Sequence, residues 1–236
     1  MYWLVHFSAL NKLNVRNLYT LGYLMPYVLL LIGCIGLLIG SVGLNINQIQ
    51  QFDFSSVVWM STHRLEVLNG LALTLSYLGG LPSMIVIAGL CNLYFIRLKQ
   101  YANVLMISIG LLGASAIGWI IKYLVNRPRP DEIYQMVQTY GASFPSAHSI
   151  YAAIVCCSIM FIFQKHRQAK WISLGGFLWF LSMGGSRVYL GAHFPTDVLT
   201  GWGIGVIWAA ILWLILSRET LRQNKLFLDK NLNEVE

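Results

Sequence analysis

What constrains this chain most is a succession of long apolar runs, Leu18 to Leu44, Val67 to Phe95, Tyr101 to Leu124, Ile150 to Phe163, Trp171 to about Gly185 and Asp197 to Leu216, with charges gathered mostly at their ends. A run of about 20 apolar residues can cross the hydrocarbon core of a bilayer as a helix, which satisfies its own backbone polar groups where water is absent. Only 11% of the residues are charged, against about 25% in a soluble domain, so lipid is the expected solvent for most of the surface. No linker-like stretch divides the runs. The sequence predicts a single all-α domain over residues 1–236, a bundle of six transmembrane helices at about 18–44, 67–95, 101–124, 145–163, 171–185 and 197–216, followed by a charged cytoplasmic tail at 217–236.

The first run is too long for a signal-peptide core and has no small-residue cleavage pattern at its end, so it is expected to remain as a helix. Gly79, Gly80 and Pro82 interrupt the second, where they either kink it or permit close helix contact. Residues 45–66 are polar and predict a loop with a short amphipathic helix. Six spans place both termini on one side, and that side then holds eleven of the sixteen Lys and Arg residues. The excess of basic residues makes the termini cytoplasmic. The five on the opposite side are Arg64, Lys122, Arg127, Arg129 and Arg187, and four of them flank the loops after spans three and five. The positive-inside tendency would deplete that face, so they require another explanation.

The net charge of +7 does not point to nucleic acid, because the basic residues form no face and no binding motif. Cys34, Cys91, Cys156 and Cys157 all lie inside apolar runs without zinc or disulfide spacing, and read as small apolar packing residues. The tryptophans read as interface belt or helix packing.

Three polar clusters reach the expected outer face together: Lys122-x6-Arg129-Pro130, Pro145-Ser146-Ala147-His148, and Ser186-Arg187-x5-His193-x3-Asp197. Each alone has a bland reading: Lys122 as an interfacial anchor, His193 with Asp197 as a pair at a helix start, His148 as a polar contact between helices. Their joint order, each at a helix end on one face, favours a site, since charge at membrane depth is costly and marks function by default. Lys122, Arg129 and Arg187 suit the oxygens of a phosphate. Ser146 and the amides around Ala147 and His148 open a helix whose free N–H groups favour an anion, with Pro145 expected in its first turn. Arg127 stays open, a flanking phosphate contact or a surface charge. Asp131 and Glu132 cap or solvate the loop, or meet a substrate headgroup. The outer-face carboxylates form no metal-ligand cluster, and no metal or other cofactor is expected.

These motifs resemble the type 2 phosphatidic acid phosphatase superfamily, six-helix membrane lipid phosphatases whose site is similar to that of vanadium haloperoxidases and acid phosphatases. The motifs cover Lys122 to Asp197, and Ala147 stands where the family pattern has glycine. The resemblance implies a metal-independent hydrolase that takes a phosphate or pyrophosphate from a membrane lipid through a phosphohistidine. His193 is then the nucleophile, Asp197 its orienting partner, and His148 the general acid and later base, while Lys122, Arg129, Ser146, Ala147 and Arg187 hold the phosphate. It also implies a bacterial inner-membrane protein whose site opens on the extracytoplasmic side. The expected substrate is undecaprenyl pyrophosphate, with phosphatidylglycerophosphate, phosphatidic acid and lipid A phosphates as alternatives. A lipid phosphotransferase and a non-catalytic lipid-binding protein are the competing functions.

Overall fold

The computed structural model describes the backbone of residues 24–233 and the side chains of residues 24–217. His6, Lys12, Arg16 and the start of the first expected span lie outside the described residues. Eight α-helices and one 3-10 turn make up the secondary structure of the described residues, with no strand among them: α1 Leu24–Gly43, α2 Asn47–Thr62, α3 Glu66–Leu78, α4 Leu81–Arg97, α5 Tyr101–Val125, the 3-10 turn Glu132–Tyr134, α6 Ala147–Phe163, α7 Ala169–Tyr189 and α8 Pro195–Asn233.

By length and composition α1, α5 and α8 are each able to cross a membrane, and α3 with α4 form a fourth candidate bent by 61°. The bend answers the open question at Gly79, Gly80 and Pro82. Gly79 ends α3, Gly80 precedes α4, and Pro82 occupies its first turn, where a missing N–H costs no helical bond. α6 is apolar but only 17 residues long. α7 begins at Ala169 and runs to Tyr189, further than the expected end near Gly185, so Arg187 lies inside its last turn. The part of α8 able to cross a membrane is Pro195–Ser217, close to the expected 197–216, and the helix continues through the charged segment to Asn233.

α6 is the centre of the bundle, packed against α5, α7 and α8. Ten of its residues are buried, among them Ala152, Ala153, Cys156 and Cys157. Lipid tails are as apolar as leucine, so helices here gain little from expelling apolar surface; small residues that admit close approach hold them instead. A Cβ on Gly203 of α8 would stand 2.5 Å from the Leu37 nitrogen of α1, and one on Gly201 would stand 2.6 Å from the Ser146 carbonyl oxygen at the head of α6. Both glycines therefore set interhelical distances, and Gly201 does so beside the polar end of the bundle.

Candidate active site

Local chemistry ends three helices at one place. Asn126 caps α5 in the left-handed region with φ 45°, its N–H bonded to the Lys122 carbonyl; asparagine tolerates that conformation better than most residues. The chain then leaves through Pro128 and Pro130, which cannot prolong a helix. Ser146 is the N-cap of α6, accepting from the Ser149 amide at 3.4 Å. Pro145 therefore precedes the N-cap and is not in the helix's first turn, while α8 does begin on a proline, Pro195. After α7, Gly191 turns the chain with φ +67°, and a Cβ there would collide with the Tyr134 carbonyl. That turn returns the Ala192 and His193 amides to the Arg187 carbonyl, at 3.0 and 3.2 Å.

The expected site residues converge around these ends. Lys122 donates to the carbonyls of Ala142 (2.7 Å) and Ser143 (3.3 Å). Arg129 donates to the carbonyls of Gly141 (2.9 Å), Tyr140 (2.8 Å) and Ala192 (2.9 Å). Its Nη1 also lies 3.3 Å from His193 Nε2. A guanidinium can only donate, so Nε2 carries the lone pair and Nδ1 the hydrogen. On the Nδ1 side Asp197 Oδ2 lies at 3.5 Å, and Ser143 Oγ at the same distance. Burial pushes the His193 imidazole down to about pKa 3, against the raising influence of Asp197. His193 is thus held neutral, with its lone-pair nitrogen turned toward Arg129.

His148 Nε2 lies 3.0 Å from the Ser76 carbonyl. A carbonyl only accepts, so Nε2 carries hydrogen and Nδ1 is left for another partner. His148 is within electrostatic reach of Arg187, His193 and Arg129. Arg187 is 3% exposed; its Nη1 donates to Ser76 Oγ at 2.6 Å, and its Nε has no protein partner. A buried guanidinium N–H without an acceptor is costly, and an anionic oxygen would satisfy it. Ala147 heads α6, and the only non-glycine residues with positive φ among the described residues are Lys99 and Asn126. The backbone at Ala147 therefore makes no demand for glycine.

Several functional contacts were not foreseen from sequence. Arg127 is not a free surface charge: it pairs with Asp197 Oδ1 at 2.6 Å and with Asp53 Oδ2 at 2.8 Å. Asp53, Ser76, Ser143 and Thr196 all join the polar cluster, and Arg64 binds the Tyr134 and Tyr189 carbonyls beside it. Of the five basic residues expected on the outer face, Arg64, Lys122, Arg127 and Arg129 are tied to the loops around His193, and Arg187 to Ser76. One signal was available: Asp53 is the only acidic residue between Leu24 and Leu65. A cavity of about 600 Å³ borders Arg127 and Phe194, but none of the eight expected site residues lines it. Asp131 and Glu132 are exposed. No group of three or more His, Cys, Asp or Glu side chains suited to a metal occurs among the described residues.

The PAP2 superfamily profile matches residues 83–221, a stretch that contains all three motifs. Phosphatidylglycerophosphatase B of Bacillus subtilis is 31% identical over 72% of this chain and 86% of its own length. An undecaprenyl-diphosphatase of Sulfolobus acidocaldarius is 26% identical over 70% of this chain and 75% of its own. In fold, the chain is similar to the crystal structure of a transmembrane PAP2-type phosphatidylglycerolphosphate phosphatase from Bacillus subtilis, with a TM-score of 0.71 and 24% identity over 84% of this chain and 97% of that one.

Proposed function

The chain belongs to the PAP2 superfamily of phosphatases, and from that premise we propose that it hydrolyses a phosphate or pyrophosphate from a membrane lipid through a phosphohistidine on His193. The observation that carries this reading is the His193 environment, a buried neutral imidazole with its lone-pair nitrogen 3.3 Å from Arg129 and its other nitrogen facing Asp197. Attack by Nε2 forms the N–P bond as the P–O bond to the lipid breaks. Asp197 accepts from Nδ1 and offsets the positive charge that develops on the ring. With the phosphate bound, His148 takes a second proton at Nδ1 while Nε2–H stays on the Ser76 carbonyl; it gives the Nδ1 proton to the leaving oxygen and, neutral again, takes one from the water that cleaves the N–P bond. Lys122, Arg129 and Arg187, with Ser146 and the amides at Ala147, hold the phosphoryl oxygens, exchanging loop carbonyls for phosphate. These cations supply the charge stabilisation of the transition state.

Undecaprenyl pyrophosphate is the first substrate to test. Phosphatidylglycerophosphate is the second, favoured by the 31% identity to an enzyme of that name. The six-span reading is retained by counting α1, the α3–α4 pair, α5, α6, α7 and α8. It places the site at the extracytoplasmic face of a bacterial inner membrane. Phosphate release by the purified protein from both lipids, with excess EDTA, is the test. Wild type should turn over at least one of them undiminished by chelator, and His193→Ala should lose at least about 10³-fold. A smaller loss in His193→Ala, or a metal-reversible loss in EDTA, overturns the mechanism.

A further inference from the structure

We propose that Asp53, on α2, is a positioning residue for this reaction: by sharing Arg127 it leaves Asp197 with charge enough to serve His193. The proposal rests on the phosphohistidine reading above. Asp197 is fully buried, and its two oxygens are divided. Oδ1 accepts from Arg127 Nη1 at 2.6 Å, while Oδ2 accepts from Ser143 Oγ and from the Phe194 amide (2.9 Å) and faces His193. An arginine bound to a single buried carboxylate would neutralise it, and a neutralised partner gives little help to an imidazole that becomes positive on attack.

Arg127 is not bound to a single carboxylate. Its Nη2 donates to Asp53 Oδ2 at 2.8 Å, and its guanidinium lies 4.3 Å over the Phe194 ring. One half-buried cation thus stands between two buried carboxylates, and the trio keeps a net negative charge. Asp53 is 1% exposed on a helix that buries only one other residue, Val57. Its carboxylate also accepts from the Thr196 amide (3.0 Å) and from the Thr196 hydroxyl. Thr196 lies in the first turn of α8, where free amides and the helix dipole favour an anion. Asp53 therefore fixes two things together, the place of Arg127 and the start of the helix that carries Asp197. It touches none of Lys122, Arg129 and Arg187, so its effect falls on the chemical step and not on phosphate binding.

The experiment measures kcat and KM, together with the single-turnover rate of phosphoenzyme formation from labelled lipid, whichever of undecaprenyl pyrophosphate and phosphatidylglycerophosphate the wild type turns over. Asp53→Asn should lower kcat and the phosphorylation rate about 10- to 100-fold with KM within about 3-fold. Asp53→Glu should recover most of the loss. Adding Arg127→Gln to Asp53→Asn should restore at least about 5-fold over the single variant, because the unshared positive charge beside Asp197 is gone; merely structural damage would instead accumulate. If Asp53→Asn does not fold, Arg127→Lys carries the test, since one ammonium does not span both carboxylates, and kcat should again fall with KM kept. Unchanged kcat in the variant that folds, a loss confined to KM, or a double variant worse than Asp53→Asn overturns the proposal. A wild type that forms no His193-dependent phosphoenzyme overturns the underlying reading instead, and the two failures are distinct.

Discussion

Gly201 and Gly205 permit a controlled test of how closely α8 governs the site. A Cβ on Gly201 would lie 2.6 Å from the Ser146 carbonyl oxygen and 2.9 Å from Ser149 Cβ; one on Gly205 would lie 2.6 Å from both the Ile150 carbonyl oxygen and Ala153 Cβ. Ordinary contact begins near 3.4 Å, so either alanine must push the α6 backbone by about 0.8 Å. Overpacking of this kind costs about 1–3 kcal/mol, and the two variants should lose similar thermal stability. Their effects on activity should differ. Ser146 caps α6 at the end beside Asp197 and its amide donates to the Asp197 carbonyl at 3.0 Å, so Gly201→Ala displaces the amides and the carboxylate-bearing turn together. A shift approaching 1 Å costs about 10²-fold in a positioned reaction. Gly205→Ala acts one turn deeper, away from every reacting group. The assay is lipid phosphate release beside unfolding midpoints in detergent. Gly201→Ala should lose about 10- to 100-fold in kcat and Gly205→Ala less than about 3-fold. Equal activity losses in both variants, or full activity in Gly201→Ala, would refute the claim that this contact sets the geometry at Ser146.

Two further outcomes are expected. An unfolded imidazole takes up its proton near pH 6.5, whereas His193 stays neutral in the fold down to about pH 3. Between those values the unfolded chain binds more protons, so this stabilising contribution is complete above about pH 6.5 and is lost as pH falls, by roughly 1 kcal/mol per unit. His193→Gln should therefore flatten the fall in unfolding midpoint from pH 6.5 to 4.5, and an unchanged slope would contradict the burial argument. A cysteine in place of the exposed Gln138 should react with an impermeant maleimide in intact cells; labelling only after lysis would invert the topology.

How much of this was legible in sequence depended on the range of the interaction. Apolar runs and helix-end chemistry are local, so the helix starts near Ser146 and Pro195 and the break at Gly79–Gly80 lie close to where the residues put them. Motif spacing brought Lys122, Arg129, His148, Arg187, His193 and Asp197 to one end of the bundle, because each sits a few residues from a helix terminus. The helices run past the expected spans, since Arg187 and the charged residues after Leu216 are carried within α7 and α8, while the candidate span in α8, Pro195–Ser217, ends close to the expected 216.

The sequence by itself determined the lipid environment, the all-helical class, the family and most of the charged groups at the candidate site, Asp53 excepted, because burying charge among apolar runs is too costly to occur without partners. Tertiary structure alone decided which partners. Arg127, open between two readings, is claimed by Asp53 from 74 residues away and by Asp197 from 70. Ser76 joins His148 to Arg187 across 72 and 111 residues. Such pairings have no local signature: an isolated carboxylate or hydroxyl on a helix is only a polar residue until packing removes water from both sides of it and leaves one available partner.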